Sequence, residues 1–240
     1  MNVDGKKLAE EVLSSLGDAL RGKTLGVVAA EGDAATDSFL KIKSRIAERL
    51  GVLVKRFPPA RAHEAFACDG VIIQLPIPNA EELIEALPPE KDVDGLKNAS
   101  VRPPVAGAIA EILSRTNVSV AGKRAVVVGA GKLVGAPAAV LMRELGAEVS
   151  VLTEGESLAS LKDADIVVLG AGSPGLVKPE HIKEDAVLID AGTSEAGGKL
   201  AGDADPACAV KASVFTPVPG GVGPIAVAMI FKNLLELTEK

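Results

Sequence analysis

The clearest fold signal in the chain is Val126-Val127-Val128-Gly129-Ala130-Gly131-Lys132-Leu133-Val134-Gly135-Ala136-Pro137, which reads as a strand, a glycine turn and the start of a helix. Gly129 permits the tight turn, Gly131 lets a pyrophosphate approach the backbone, and Gly135 allows helix and strand to pack closely. The helix N-terminus favours an anion. The glycine spacing is GxGxxxG rather than GxGxxG, and a glycine pattern of this kind can occur in any tight βα turn. The segment predicts a dinucleotide-binding turn, with a plain βα turn as the alternative.

An acidic stretch, Thr153-Glu154-Gly155-Glu156, follows the next predicted strand, 148–152. Glu154 falls about where a carboxylate would accept a hydrogen bond from a ribose 2′-hydroxyl, and its charge would repel a 2′-phosphate. The alternative is a solvated loop carboxylate. After the strand at 165–169, Gly170-Ala171-Gly172 predicts a further flexible rim at the same sheet edge.

The first half of the chain alternates strands and helices, which predicts an α/β protein. Short, wholly apolar strands separated by glycine turns indicate a parallel sheet covered on both faces. We predict two α/β domains, a discontinuous one at 1–113 and 225–240 and a Rossmann-like parallel sheet at 114–224. Strands are expected at 24–30, 52–57, 70–75, 124–128, 148–152, 165–169, 186–190 and 213–215. Helices are expected at 6–21, 37–50, 106–116, 133–144 and 225–237.

A second informative segment is Thr216-Pro217-Val218-Pro219-Gly220-Gly221-Val222-Gly223-Pro224. Its prolines lack N–H donors and its glycines permit positive φ, so we predict a shaped loop that is neither helix nor central strand. Such a loop offers a ligand mainly backbone groups and close approach. Its place between a strand and a helix favours a ligand site at the carboxyl end of a sheet, with a rigid surface turn as the alternative.

Composition excludes several function classes. The formal charge of −6, the absence of a basic run and only five Phe as aromatics argue against nucleic-acid binding. Charges interrupt every apolar window, so we expect no membrane span and a cytoplasmic protein. Cys68 and Cys208 lack metal-ligand or redox spacing, and His63 and His181 have no partner cluster, so we expect no metal site.

Three segments in the first half carry the catalytic candidates. They are Thr36-Asp37-Ser38-Phe39-Leu40-Lys41-Ile42-Lys43, Gln74-Leu75-Pro76-Ile77-Pro78 and Lys91-Asp92-Val93-Asp94-Gly95. Phe39 and Lys43 are four residues apart on a predicted helix, so they share one face. A lysine on such a face more commonly snorkels to water.

Taken together, these segments and the Thr216–Pro224 loop closely resemble the methylenetetrahydrofolate dehydrogenase/cyclohydrolase family. The resemblance covers nearly the whole chain, from Val3-Asp4-Gly5-Lys6 to the closing helix. It implies a folate cleft between the two α/β domains, tetrahydrofolate derivatives as substrates, and a homodimer active in one-carbon metabolism and purine biosynthesis. The implied reaction is oxidation of 5,10-methylenetetrahydrofolate by a nicotinamide cofactor, followed by hydrolysis to 10-formyltetrahydrofolate.

The resemblance also implies the site residues. The catalytic set is Lys43, Gln74 and Asp94. Substrate contacts are expected from Thr36, Phe39, Pro76, Pro219, Gly220 and Gly221. Cofactor contacts are expected from Gly129, Ala130, Gly131, Gly135, Glu154, Gly170, Gly172 and Thr193.

Physical chemistry agrees with the catalytic roles. Burial in an apolar cleft would lower the pKa of Lys43 toward the range for proton transfer. Gln74 can orient the lysine without fixing its charge. Asp94 can accept hydrogen bonds from the pterin amino and ring N–H groups.

The chain departs from the family pattern at several positions. Phe39 replaces the family tyrosine, which removes a hydroxyl that would contribute to water activation. Gly129-Ala130-Gly131 replaces Gly-Arg-Ser, and Thr153-Glu154 replaces His-Ser, so groups suited to a 2′-phosphate are lost and a carboxylate is added. These changes favour NAD over NADP as the cofactor. One alternative is a folate- or nucleotide-binding protein with reduced or lost cyclohydrolase activity. Another is a different two-domain dehydrogenase, similar in plan to shikimate-type reductases.

Overall fold

The computed structural model describes residues 1–30, 34–97, 101–196 and 199–239, and the side chains of 34–39 and 195–196 lie outside that description. The chain divides into two compact units. The three-stranded unit comprises 10–104 and 227–240, and the five-stranded unit comprises 1–9 and 105–226.

Helices and strands largely alternate over residues 5–152, as the sequence predicts, and further strands follow at 166–215 with no α-helix between them in the described residues. In chain order they are α1 (Gly5–Leu16), β1 (Thr24–Val28), α2 (Ala34–Arg49), β2 (Leu53–Phe57), α3 (Ala62–Ala65), β3 (Gly70–Ile73), α4 (Ala80–Ala86), α5 (Pro104–Arg115), β4 (Arg124–Val128), α6 (Gly135–Glu144), β5 (Glu148–Leu152), β6 (Ile166–Leu169), β7 (Val187–Asp190), β8 (Ser194–Ala196), β9 (Lys199–Ala201), β10 (Val214–Phe215) and α7 (Val222–Thr238).

The sheet of the three-stranded unit is parallel, in the order β2-β1-β3. β1 comes first in the chain and is the central strand of this sheet. β2 and β3 lie on opposite sides of it, so the strand order reverses at β1. Strand β3 is wholly buried, and Val71 and Ile73 pack with Leu83 and Leu87 in the core. In open parallel sheets, ligands bind at the carboxyl ends of strands where the order reverses. That rule points to the carboxyl ends of β1 and β3.

The sheet of the five-stranded unit is also parallel, in the order β10-β7-β6-β4-β5. Its first strand, β4, lies between β5 and β6, so the order again reverses at that strand. Strands β4, β6 and β7 are almost wholly buried and β5 is a half-exposed edge. The predicted α/β class and the Rossmann-like parallel sheet are confirmed. The switch point falls at the carboxyl end of β4, where the Gly129 turn begins.

The strand and helix bounds agree with the predicted ones within three residues, except that α1 ends at Leu16, five residues before the predicted end at 21. Helix α7 begins at Val222, three residues before the predicted start at 225, so the segment that ends at Pro224 is not wholly a loop. The first turn of a helix leaves its N–H groups without intrahelical partners, and proline is therefore tolerated there. Short elements that the sequence analysis did not predict are α3, α4 and the antiparallel β8–β9 hairpin.

The N-terminal residues group with the five-stranded unit, and this differs from the predicted division of the chain. The N–H of Val3 donates to the carbonyl of Phe215 over 2.8 Å, and the N–H of Gly5 donates to that of Gly220 over 2.9 Å. These backbone bonds place residues 3–5 beside β10 and the segment that follows it. The other boundaries fall at 104/105 and 226/227, where the sequence predicted 113/114 and 224/225.

Two features are absent from the described ranges. These ranges contain no helix with the length and apolar character that a membrane crossing requires. In the same ranges, no group of three or more His, Cys, Asp or Glu side chains is arranged to hold a metal ion.

Candidate active site

The first cluster of predicted site residues lies in the three-stranded unit and is centred on Lys43. Lys43 is half-buried in the middle of α2, and Gln74 directly follows β3. The Nζ atom of Lys43 donates a hydrogen bond to Oε1 of Gln74 over 2.7 Å. Gln74 is itself fixed because its backbone N–H donates to the carbonyl of Val28 over 2.9 Å. A neutral amide therefore orients the lysine at the carboxyl end of the sheet.

Asp94 is the third member of this cluster, and a tight turn presents it. Its neighbour Val93 is fully buried, and Gly95 has a φ of +62°. A Cβ on Gly95 would lie 3.0 Å from the carbonyl oxygen of Val101, so glycine is required for both its backbone conformation and its space. The turn after Val93 thus holds Asp94 close enough to interact electrostatically with Lys43.

Burial moves the pKa values of both charged groups toward neutrality. It lowers the pKa of Lys43, and the charge of Asp94 opposes that shift. It raises the pKa of Asp94 to about 6, with Lys43 opposing the shift and Asp92 adding to it. A lysine that loses its proton more readily than usual is suited to general base chemistry near neutral pH.

Two residues that support the Asp94 turn were missed by the sequence analysis. Asp92 is fully buried; its Oδ2 accepts a hydrogen bond from the N–H of Lys97 over 2.9 Å, and its Oδ1 has no hydrogen-bond partner among the residues that the structure describes. Asn233, on α7, donates from its side-chain nitrogen to the carbonyls of Val93 and Arg102 over 2.8 Å each. The available signal for Asn233 was a lone amide within the apolar run of α7.

The predicted substrate contacts of this unit are only partly described. Thr36 and Phe39 lie on α2, but their side chains fall outside the described residues. Pro76 is exposed and follows a cis peptide bond, Leu75–Pro76, two residues after Gln74. The structure therefore brings together Lys43, Gln74 and Asp94, with Pro76 beside Gln74 in the chain.

The glycine turn of the five-stranded unit has the form that a dinucleotide requires. Gly129 has a φ of +99°, and a Cβ there would lie 2.4 Å from the carbonyl oxygen of Gly170. A Cβ on Gly135 would lie 1.9 Å from the carbonyl oxygen of Gly129, so α6 packs directly on the turn. A Cβ on Gly131 would meet no atom within 4 Å. Gly131 and the exposed Ala130 thus leave the backbone open at the start of α6, as a pyrophosphate needs.

The acidic stretch after β5 is exposed and internally ordered. Glu156 accepts hydrogen bonds from the N–H of Thr153 over 2.5 Å and from its hydroxyl over 2.8 Å, and these bonds lower the pKa of Glu156. Glu154 lies between them on the turn and is exposed. Two carboxylates therefore end the strand next to β4. Thr193, also predicted at the cofactor, is exposed directly after Gly192 at the base of the β8–β9 hairpin.

The backbone N–H groups of the loop after β6 donate hydrogen bonds to another part of the protein. Gly170 packs against α6, because a Cβ there would lie 2.3 Å from Cγ1 of Val134. The N–H groups of Ala171, Gly172 and Ser173 all donate to the carboxylate of Asp203. Gly172 thus directs its amide toward Asp203, a residue that the sequence analysis did not single out.

The Thr216–Pro224 segment runs from the end of β10 into the first turn of α7. Thr216 is fully buried; its hydroxyl donates to the carbonyl of Asp190 over 3.1 Å and accepts from the N–H of Asp190 over 2.6 Å. Pro219 is exposed after a cis peptide bond, Val218–Pro219. A Cβ on Gly221 would lie 2.7 Å from the carbonyl oxygen of Pro217, so Gly221 is closely packed ahead of α7, whereas a Cβ on Gly220, whose φ is +108°, would meet no atom within 4 Å. The segment presents backbone, as its composition predicts.

These features define an α/β protein with a Rossmann-type dinucleotide turn on one unit and a lysine–glutamine–aspartate cluster on the other. Residues 103–240 match the family model described as tetrahydrofolate dehydrogenase/cyclohydrolase, NAD(P)-binding domain. The chain belongs to the tetrahydrofolate dehydrogenase/cyclohydrolase family, which confirms the resemblance.

Relatives match over nearly the full length. Bifunctional protein FolD of Lactobacillus delbrueckii subsp. bulgaricus is 36% identical over 274 residues, covering 99% of this chain and 97% of the relative. Bifunctional protein FolD of Staphylococcus aureus is 36% identical over 276 residues, covering 99% and 96%.

Among solved structures, the Trypanosoma brucei methylenetetrahydrofolate dehydrogenase-cyclohydrolase, complexed with NADP cofactor and inhibitor, superposes with a TM-score of 0.91 at 28% identity, covering 100% of this chain and 97% of that one. Shikimate 5-dehydrogenase of Thermus thermophilus reaches a TM-score of only 0.57 at 17% identity, covering 90% of this chain and 98% of that one. That second likeness shows a shared fold alone, so the shikimate-type alternative is set aside.

Proposed function

We propose that this chain oxidises 5,10-methylenetetrahydrofolate to the methenyl form with a nicotinamide cofactor and then hydrolyses the product to 10-formyltetrahydrofolate. The observation that carries the proposal is the hydrogen bond from Lys43 to Gln74, 2.7 Å long, beside the partly buried Asp94. Binding alone does not need a lysine with a lowered pKa. Relatives over the full length of the chain are described as bifunctional, which supports both activities.

The oxidation step needs positioning rather than a protein acid or base. A bound nicotinamide supplies the hydride acceptor, and loss of hydride leaves the folate carbon as a methenyl cation. The chain's contribution is the backbone at Gly129, Gly131 and Gly135, which receives the dinucleotide at the switch point of the sheet. Asp94 accepts hydrogen bonds from the pterin N–H groups and holds the folate by its planar edge.

The hydrolysis step uses Lys43. Water adds to the methenyl carbon and loses a proton, which leaves a hydroxyl on that carbon. The bond from this carbon to one folate nitrogen then breaks as that nitrogen takes up a proton, while the hydroxyl oxygen forms the formyl C=O and releases its proton to solvent. Lys43, with its pKa lowered by burial, accepts the first proton and donates the second. Gln74 keeps the amine aimed in one direction through Oε1 without holding it permanently charged, as a carboxylate would.

For the cofactor, we propose a preference for NAD. Glu154 and Glu156 place two carboxylates on the exposed turn after β5, and Ala130 offers no cation on the glycine turn. A 2′-phosphate would meet repulsion there, whereas a ribose 2′-hydroxyl can donate to a carboxylate. The Trypanosoma brucei relative is complexed with NADP, so the NAD preference proposed for this chain rests on these side chains and not on that likeness.

A parallel spectrophotometric assay tests the proposal. Oxidation of methylenetetrahydrofolate is followed with NAD and with NADP, and hydrolysis of methenyltetrahydrofolate is followed without cofactor. We expect both reactions, with a higher kcat/KM for NAD. Tight folate binding with neither reaction would contradict the proposal and favour a binding protein.

A further inference from the structure

The carboxylate of Asp203 is buried at the centre of the loop after β6. Asp203 has no exposed surface. Its Oδ2 accepts from the N–H of Ala171 over 2.6 Å and from that of Gly172 over 3.1 Å, and its Oδ1 accepts from Ser173 over 2.7 Å. Three successive backbone donors thus converge on one carboxylate.

Successive N–H groups that converge in this way form an anion-binding nest. In dinucleotide-binding sheets, such backbone donors at the carboxyl ends of strands are candidates for phosphate. Here the protein supplies the anion from its own chain, thirty residues away from Ser173. The amides of 171–173 are therefore already occupied when a dinucleotide arrives.

A second buried carboxylate holds Asp203 in place. Asp190 accepts from the N–H of Asp203 over 3.2 Å, from Ala204 over 2.8 Å and from Gly192 over 3.0 Å. The fit is tight, since a Cβ on Gly192 would lie 2.2 Å from Cγ of Asp203, and one on Gly202 would lie 2.1 Å from Oδ2 of Asp190. Asp203 thus has one available position.

The loop that Asp203 fixes lies directly on the predicted phosphate turn. The carbonyl of Gly170 packs against Gly129, and the N–H of Gly170 donates to the carbonyl of Val128 over 2.9 Å. The Cα of Gly170 packs against Val134, at the start of α6. Any shift of 171–173 is therefore passed to the neighbours of the glycine turn.

We propose that Asp203 is a positioning residue for the dinucleotide: by filling the 171–173 nest it orders the loop after β6 and confines the pyrophosphate to the turn at 129–135. Asp203 touches neither cofactor nor substrate. This inference rests on the proposed function for the identity of the cofactor, but its readout is binding and not turnover.

The test compares Asp203→Ala and Asp203→Asn with a matched control, Asp205→Asn. Asp205 lies two residues away and caps a short helical turn through the N–H of Ala207 at 2.9 Å, a role that asparagine also fills. Dissociation constants for NADH and NADPH are measured from the fluorescence of the reduced ring. The chain contains no Trp and no Tyr, so its own emission does not interfere.

We expect both Asp203 variants to raise the dissociation constant of the preferred cofactor by about 10-fold, as when one or two charge-assisted hydrogen bonds lose their effect. Hydrolysis of methenyltetrahydrofolate, which uses no cofactor, should persist. Sodium formate should restore cofactor affinity to Asp203→Ala, because a small carboxylate can refill the nest, whereas sodium chloride at equal ionic strength should not. Asp205→Asn should bind like the parent chain.

Unchanged cofactor affinity in both folded Asp203 variants would overturn the inference. So would a parallel loss of cofactor binding, folate binding and hydrolysis without formate rescue, since that pattern marks a general folding role. A parent chain that binds cofactor but oxidises nothing would refute the proposed function and leave the binding comparison valid.

Discussion

The side-chain amide of Asn233 donates a hydrogen bond to the carbonyl oxygen of Val93 over 2.8 Å, and Val93 directly precedes Asp94. The same nitrogen donates to the carbonyl of Arg102 over 2.8 Å. These two carbonyls lie on either side of the Asp94 turn. One buried amide is therefore hydrogen-bonded to both ends of the segment that carries the carboxylate.

We therefore expect Asn233→Ala and Asn233→Asp to destabilise the protein by about 1–3 kcal/mol, since a buried carbonyl loses its donor in each. An ionised aspartate cannot donate, although it has the shape of asparagine. The KM for the folate should rise more than kcat falls. Denaturant unfolding and steady-state kinetics check this, with the exposed neighbour Lys232→Ala as control; equal effects at 232 and 233 would contradict it.

Lys43→Met should lower the hydrolysis rate of methenyltetrahydrofolate by about 10²–10⁴-fold, the usual contribution of a general base. Cofactor binding should be unchanged, because the dinucleotide turn belongs to the other unit. Lys41→Met, an exposed lysine on the same helix, is the matched control. Normal hydrolysis in the Lys43 variant would remove this residue from the mechanism.

The pH profile of hydrolysis should follow the charge of Lys43. The negative charge of Asp94 raises the pKa of Lys43, against the lowering caused by burial. Asp94→Asn removes that charge, so the pKa of Lys43 should fall further and the rising limb of kcat should move to lower pH. A limb that moves to higher pH, or stays in place, would show that another group is titrating.

Cofactor choice should respond to Glu154 and Ala130. Glu154→Ser with Ala130→Arg removes a repelling carboxylate and adds a guanidinium for the 2′-phosphate, so the ratio of kcat/KM for NADP over NAD should rise about 10-fold or more. Glu148→Gln removes one negative charge at the opposite end of β5, as Glu154→Ser does near the turn, and should leave the ratio unchanged. An unaltered ratio in the double variant would exclude Glu154 as a determinant.

Asp190 should make stability depend on pH. Burial raises the pKa of Asp190 to about 6, above its unfolded value near 4. Its stabilising contribution is therefore complete below about pH 4 and is lost as the pH rises through about 6. Asp190→Asn should flatten the fall in unfolding free energy over that window, whereas the exposed Asp185→Asn should keep it. Denaturant titrations between these pH values measure the slope.

Part of this site could be predicted from the sequence, because its geometry depends on residues that are close together along the chain. The turn at Gly129, Gly131 and Gly135 follows from glycine spacing between a strand and a helix, and the structure gives each glycine the packing or openness expected of it. Lys43, Gln74 and Asp94 were assigned through the family resemblance, and the structure brings all three together. The helical start at Val222 was missed because first-turn prolines look like helix breakers in a sequence.

Asp203 and Asn233 show what local reasoning leaves out. Asp203 is thirty-two residues from Ala171, and Asn233 is 140 residues from Val93. Nothing in the residues beside either one indicates its partner.

The sequence by itself determined the alternation of strands and helices, the glycine turn and the residue types of the catalytic cluster, because strand and helix periods, glycine's backbone freedom and motif order are properties of short segments. The tertiary structure alone decided that Asp203 fills the 171–173 nest, that Asn233 fastens the Asp94 turn, and that burial shifts the pKa values of Lys43 and Asp94. Desolvation and long-range hydrogen bonds exist only after distant segments pack together, so no local pattern carries them.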